Sequence, residues 1–198
     1  EVLDVDRAVV GYNDQKLAGP LSFSVRKPQR VGIIGPNGIG KSTLLKSILD
    51  RIPLISGSIK LGANLQIGYY DQEQQQLHPE KSVLNEVWDD HSNVPEKDIR
   101  SLLGSFLFVG DDVYKLVHDL SGGEKARLEL TKLSFKPINF LILDEPTSGL
   151  DPIVRGEVLD LFREFMEDDT HSILISSHIT SDLESIADYI VPVSYTHL

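Results

Sequence analysis

The stretch Gly35-Pro36-Asn37-Gly38-Ile39-Gly40-Lys41-Ser42 constrains this chain more than any other. It fits G-x-x-x-x-G-K-[ST], and its flanks have the character that pattern requires. Arg30 to Ile34 (RVGII) is a short apolar run entering the loop, and Leu44, Leu45, Ile48 and Leu49 follow at helical spacing, so the order is strand, loop, helix. Glycines let backbone N–H groups curl toward an anion, and the helix N-terminus adds about half a positive charge. Lys41 would reach the terminal phosphates and Ser42 would offer an oxygen to Mg²⁺. A glycine-rich turn without a ligand is the plainer alternative, and it does not account for the flanking pattern.

The remainder of the chain reads as parallel α/β structure with an insertion. Residues 1–10 alternate loosely and Leu21 to Val25 strictly, which predicts antiparallel strands around a turn at Asn13-Asp14. Ser58 to Leu61 and Leu65 to Tyr70 are further strand candidates. From Gln72 the chain turns polar, and helical stripes follow at Val83, Leu84, Val87, Trp88 and at Ile99, Leu102, Leu103, Phe106, Leu107. Another amphipathic helix is expected after Ser121. Phe140 to Leu143 (FLIL) suits a strand buried on both faces. A helix stripe (Val158, Leu159, Phe162, Phe165, Met166), a strand (Ile173 to Ile175) and a second stripe (Leu183, Ile186, Ala187, Ile190) then alternate, as crossover-connected parallel strands do. The predicted class is an α/β P-loop NTPase with a mainly parallel core sheet, an N-terminal antiparallel β subdomain and an inserted helical subdomain. The expected domain is one cassette over 1–198, with its core at about 1–72 and 134–190, the insertion at about 73–133 and a non-native tail at 191–198.

Several function classes are excluded or disfavoured by composition. Nineteen Lys plus Arg against thirty Asp plus Glu give a formal charge of -11, so no whole-surface basic footprint for nucleic acid or acidic membrane exists. Zero cysteines remove disulfides, cysteine-rich zinc sites and thiol nucleophiles, and they fit a reducing cytosol. No apolar run approaches the roughly 18 residues of a membrane span. Because the first residue is Glu1 rather than Met, the chain is expected to be a piece of a longer product.

Other residues gain meaning from their surroundings. Asp144 and Glu145 follow the buried run, at the sheet edge where ligands sit in open α/β folds, so one can hold metal and the other polarise a water. Two acids ending a strand before a Pro146 turn would look the same. Ser121-Gly122-Gly123-Glu124 reads as a capping box, and its two glycines also suit phosphate contact. His178, after the strand Ile173 to Ile175, reads by itself as a surface residue, and Gln72 by itself is uninformative.

In their order, these features resemble the nucleotide-binding cassette of the ABC ATPase superfamily from end to end. Tyr12 matches the aromatic residue that stacks on adenine, and Gly35 to Thr43 (GPNGIGKST) matches Walker A. Gln72 matches the Q-loop glutamine, with Gln74 an alternative. Leu120 to Glu124 (LSGGE) matches the signature, Phe140 to Glu145 (FLILDE) matches Walker B with its catalytic glutamate, Ser148 to Asp151 (SGLD) matches the D-loop and His178 matches the switch histidine.

The resemblance implies ATP as ligand, held by Tyr12, Gly35, Asn37, Gly38, Gly40, Lys41, Ser42 and Thr43 of one chain. Ser121, Gly122, Gly123 and Asp151 would act toward a second cassette packed head to tail. Mg²⁺ would be held through Ser42, Gln72 and Asp144, with Glu145, His178 and Gln72 catalytic. Up to about Asn139 the chain is similar to the ABC-F branch, soluble translation factors acting on the ribosome. From about 148 to 190, EPTSGLD and SSHITSDLE resemble exporter-type ATPases, which would dock on a membrane permease. A cytoplasmic protein is implied in the first case, and one peripheral to the inner membrane face in the second. A non-hydrolysing sensor is disfavoured by Glu145. The change of character falls in the shared stretch NFLILDEPT, and PVSYTHL looks like translated adapter sequence. The expectation is a chimeric, truncated chain; a divergent natural cassette is the alternative.

Overall fold

The structure, a computed structural model, describes residues 1–13, 15–71 and 77–194. Gln72 and Gln74 lie outside the described residues, as does Asp14 of the expected turn. β1 (Leu3–Tyr12), β2 (Gln15–Val25) and β4 (Ser56–Leu61) form an antiparallel sheet in the order β2-β1-β4. β3 (Arg30–Ile34), β5 (Ile67–Asp71), β6 (Phe140–Asp144), β7 (Ser172–Ser177) and β8 (Tyr189–Pro192) form a parallel sheet in the order β5-β6-β7-β3-β8. All residues of β6 and β7 are buried, as expected for central parallel strands covered on both faces.

Alternation along these strands divides the core. Phe140 and Ile142 of β6 and Leu174 of β7 pack toward α1 (Lys41–Ile48), whose Leu44, Leu45 and Ile48 also meet Val5, Ala8 and Val10 of β1. Leu141, Leu143, Ile173 and Ile175 face the other way, onto α5 (Pro152–Phe165) and α6 (Thr180–Ile186). The helix that opens at the phosphate loop is thereby clamped between two sheets. Each of its fully buried leucines contributes about 1.5–3 kcal/mol to that position.

The insertion has its own core. Val83, Leu84 and Val87 of α2 (Val83–Trp88), Ile99 and Leu103 of α3 (Glu96–Ser105) and Leu128 of α4 (Gly122–Ser134) are buried together with Phe108, Val113 and Val117. On the same helix, Ala126 and Leu130 of α4 belong to the α5 side of the main core, so α4 joins the two bodies. Glu86 of α2 is completely buried and accepts from Lys132 Nζ of α4 at 2.5 Å and from the His78 N–H at 3.2 Å. A buried carboxylate is tolerable only when paired in this way.

Two expected helix stripes end early. α3 stops at Ser105, because Leu107 takes a left-handed φ of 68°. The N–H groups of Leu107 and Phe108 then donate back to Gly104 O at 3.0 Å and Leu103 O at 2.9 Å. That is a Schellman closure, which buries Phe108 beside Leu103 and turns Leu107 outward. α6 ends at Ile186, and Ile190, expected on its stripe, lies instead in β8 paired with Gly32. The tail boundary expected at 191 falls inside the same strand. Val191 pairs with Ile33, Pro192 with Ile34, and buried Val193 donates its N–H to Ile34 O at 2.7 Å. Across the expected seam, Tyr70, Ala126 and Leu130 share one buried cluster with Val158, Leu159 and Phe162, and an apolar cavity of about 450 Å³ lies between Leu133 and Phe165.

Candidate functional site

The phosphate loop bridges β3 to α1, and its conformation needs its glycines. Gly40, the N-cap of α1, has φ 104°, and a Cβ there would sit 3.1 Å from Leu17 Cβ. A Cβ on Gly38 would meet nothing within 4 Å, since that residue faces the open cleft. Lys41, whose side chain is only 4% exposed, donates from Nζ to Gly35 O at 2.7 Å and Pro36 O at 3.1 Å. The same ammonium stands 3.0 Å from Glu145 Oε1.

Strand register gathers the acids. Asp71 of β5 pairs with Asp144 of β6, and Asp144 with Ser176 of β7, so these residues form one row at the C-terminal edge of the sheet. Asp144 Oδ1 accepts from Ser42 Oγ at 3.0 Å and from Ser176 Oγ at 2.7 Å. Burial, aided by the charges of Asp71 and Glu145, pushes the Asp144 carboxyl above the usual carboxylate range against the lowering effect of those two bonds. The Tyr69 hydroxyl lies 3.2 Å from Asp71 Oδ2 and 3.4 Å from Asp144 Oδ2. Burial and the neighbouring Asp144 charge push its phenol up, which keeps it a proton donor.

Glu145 leaves β6 in a left-handed conformation, φ 49°. Its N–H donates to Ser176 O at 3.2 Å and Ser176 Oγ at 3.1 Å. Its Oε2 lies 2.7 Å from His178 Nδ1 and accepts from the His178 N–H at 3.3 Å. The carboxylate is therefore held between an ammonium and an imidazole at the mouth of a cleft of about 450 Å³.

Tyr12, Asn37, Gly38, Gly40, Lys41, Ser42, Thr43, Asp144 and Glu145 all line that cleft, and Thr43 Oγ1 lies 3.5 Å from the Tyr12 hydroxyl. Ser121, Gly122, Gly123 and Asp151 do not line it. Ser121 and Glu124 form the expected reciprocal capping box at the start of α4. Gly123 has a packing reason, since a Cβ there would come 2.2 Å from Val154 Cγ1 of α5, whereas a Cβ on Gly122 would only touch Leu150 Cδ2 at 4.0 Å. Asp151 caps α5 by accepting from the N–H groups of Ile153 at 3.0 Å and Val154 at 3.2 Å.

Ser176, Tyr69 and Asp71 reach the site without having been singled out in the sequence, while Ser148, the first residue of the SGLD match, lines the cleft. The only signals were a hydroxyl inside the apolar run SILISS and an acid closing IGYYD, and both gain meaning once the strand order is known.

The ABC transporter family model matches residues 18–148, more than half of the chain. The chain belongs to the ABC ATPase family. As an ABC cassette it is 46% identical over 199 residues to the putative ATP-binding protein YdiF of Bacillus subtilis, covering all of this chain and 30% of that protein. It is 37% identical over 168 residues to the energy-dependent translational throttle protein EttA of Mycobacterium tuberculosis (strain H37Rv), covering 83% of this chain and 30% of EttA. The cassette thus spans under a third of the length of these relatives. Among solved structures, cbiO1 from Clostridium perfringens, part of the ABC transporter complex cbiONQ, superposes with a TM-score of 0.78 at 25% identity over 98% of this chain and 84% of that one. A putative ABC transporter ATP-binding protein from Pyrococcus furiosus gives a TM-score of 0.81 at 24% identity, covering 97% of each chain, and shows the shared fold. No helix among the described residues is long and apolar enough to cross a membrane.

Proposed function

We propose that this cassette binds and hydrolyses Mg²⁺-ATP as one half of a head-to-tail pair, in a cytoplasmic ribosome-associated translation factor of the ABC-F kind. The placement of Glu145 carries the catalytic part of this reading. Its carboxylate lies against Lys41 and His178, next to the Ser42–Asp144 pair and at the open side of the phosphate loop. Loop N–H groups and the Lys41 ammonium would take the phosphate charge, with Tyr12 against the adenine.

The fit to Mg²⁺ rests on the donor set. Ser42 and Asp144 offer hard oxygens 3.0 Å apart, with the carboxylates of Asp71 and Glu145 lining the same cleft. Among the described residues no three acidic, histidine or cysteine groups could hold a metal by themselves. That suits an ion shared with substrate phosphates rather than a protein-only cage. Ser42, Asp144 and Gln72 would hold it, and it would supply charge neutralisation at the phosphate oxygens. Glu145 takes a proton from the attacking water while His178 Nδ1–H, donated to Oε2, keeps its carboxylate aimed.

Ser121, Gly122, Gly123 and Asp151 stand outside the cassette's own cleft, which supports their acting on a partner's nucleotide. Combining a Lys41→Ala chain with a Ser121→Arg chain tests this. Heterodimers should recover activity from one intact composite site, and confirmed heterodimers without activity would contradict action in trans.

The ribosomal reading draws on the name and 37% identity of EttA and on the ABC-F character of residues up to about Asn139. SGLD, SSHITSDLE and the likeness to cbiO1 favour a second reading, a transporter ATPase docked on a permease. When the gene product containing this chain is fractionated with ATP and the Glu145→Gln substitution, it should co-sediment with ribosomes. Recovery with membranes instead would move the assignment to the transporter reading.

A further inference from the structure

Ser176 is completely buried in β7, and its hydroxyl makes two contacts at once. It donates to Asp144 Oδ1 at 2.7 Å and accepts the Glu145 N–H at 3.1 Å. Those neighbours are the candidate metal-facing carboxylate and the candidate base, consecutive in sequence but with different tasks. Between them the backbone turns from the strand into a left-handed residue, φ 49° at Glu145, a strained conformation for a non-glycine residue that persists only when surrounding bonds impose it. The Ser176 carbonyl at 3.2 Å and its hydroxyl are the groups that receive this N–H.

The row Asp71–Asp144–Ser176 explains why the contact is available. Facing residues of adjacent parallel strands direct their side chains to the same side of the sheet, so the Ser176 hydroxyl meets Asp144 from β7 while Tyr69 and Asp71 approach from β5. Ser42 Oγ reaches the same Oδ1 from α1. A serine that only filled space in an apolar strand would need a single acceptor to be satisfied; this one ties two functional residues together.

We infer that Ser176 is a positioning residue of the ATPase site, fixing the Asp144 carboxylate for the divalent cation and the Glu145 backbone for the attacking water. The inference rests on the proposed metal site. With one hydroxyl serving both residues, its loss should affect metal affinity and turnover together, leaving metal-free nucleotide binding to the loop intact. Outer-shell partners of ligands usually contribute about 10- to 100-fold in metal affinity or activity.

The test measures Mn²⁺ affinity of the ATP-bound chain by electron paramagnetic resonance, with ATP affinity in chelator measured separately. Ser176→Ala should weaken Mn²⁺ binding about 10-fold or more and change chelator-ATP affinity less than about twofold, about 0.4 kcal/mol. Ser176→Cys, nearly isosteric and a weak donor, should give the same loss, and Ser176→Thr, which keeps the hydroxyl, should restore most of it. An Asp144→Asn chain separates the possible failures. If Asp144→Asn weakens Mn²⁺ binding and neither Ser176→Ala nor Ser176→Cys does, the Ser176 inference is overturned alone. If none of them does, the metal-site reading falls and takes this inference with it.

Discussion

In isothermal titration, Lys41→Ala should lose at least about 100-fold in ATP affinity relative to the unaltered chain. Hydrogen bonds to charged groups contribute about 1.5–3 kcal/mol each, and this ammonium would serve more than one phosphate oxygen. It is also pre-placed, because Gly35 O and Pro36 O hold Nζ at 2.7 and 3.1 Å, so little side-chain freedom remains to be lost on binding. Its removal has a second effect. Glu145 Oε1 loses the cation 3.0 Å away while Asp144 and Asp71 remain close, which makes the pocket more hostile to a phosphate anion. A measured affinity equal to that of the unaltered chain would refute the phosphate-loop assignment.

Legibility in the sequence followed the range of the interactions involved. The β3–loop–α1 unit could be read directly, since one contiguous stretch supplies the apolar run, the glycines and the helical spacing. FLILDE announced both a strand buried on two faces and the acids at its end. What could not be read is lateral order. Asp71, Asp144 and Ser176 are separated by more than seventy and more than thirty residues and become neighbours only through the order β5-β6-β7. Hydropathy carries no trace of that register. Ser176 therefore read as one more residue of a strand.

Helix ends were lost for a different reason. Spacing records which residues face the core, and Phe106 does so from just beyond α3, while Ile190 follows the helical period yet sits in β8. An apolar stripe continues through a change of secondary structure without marking it. Gly123 illustrates a third limit. A pair of glycines at a helix start suggests an anion, but only the packing of α4 on α5 reveals that Val154 leaves no room for a Cβ at the second of them.

Glu145→Gln should slow hydrolysis by about 10²- to 10⁴-fold, the usual contribution of a general base, while ATP affinity changes little. The two results differ because binding and chemistry draw on different atoms: Lys41 keeps its carbonyl partners, and the loop N–H groups are untouched. Glutamine matches glutamate in shape but cannot satisfy both of its neighbours. If the amide oxygen accepts from His178 at the Oε2 position, the NH₂ faces the Lys41 ammonium at the Oε1 position, where a donor meets a donor. If the amide is reversed, His178 Nδ1 must become an acceptor and give up its proton to the other ring nitrogen. Either arrangement removes proton-accepting capacity without opening the cleft, so ATP-bound pairs should accumulate and elute as dimers on size exclusion. Hydrolysis at the unaltered rate would transfer the role of base to His178, whose Nδ1 lies 2.7 Å from the Glu145 carboxylate.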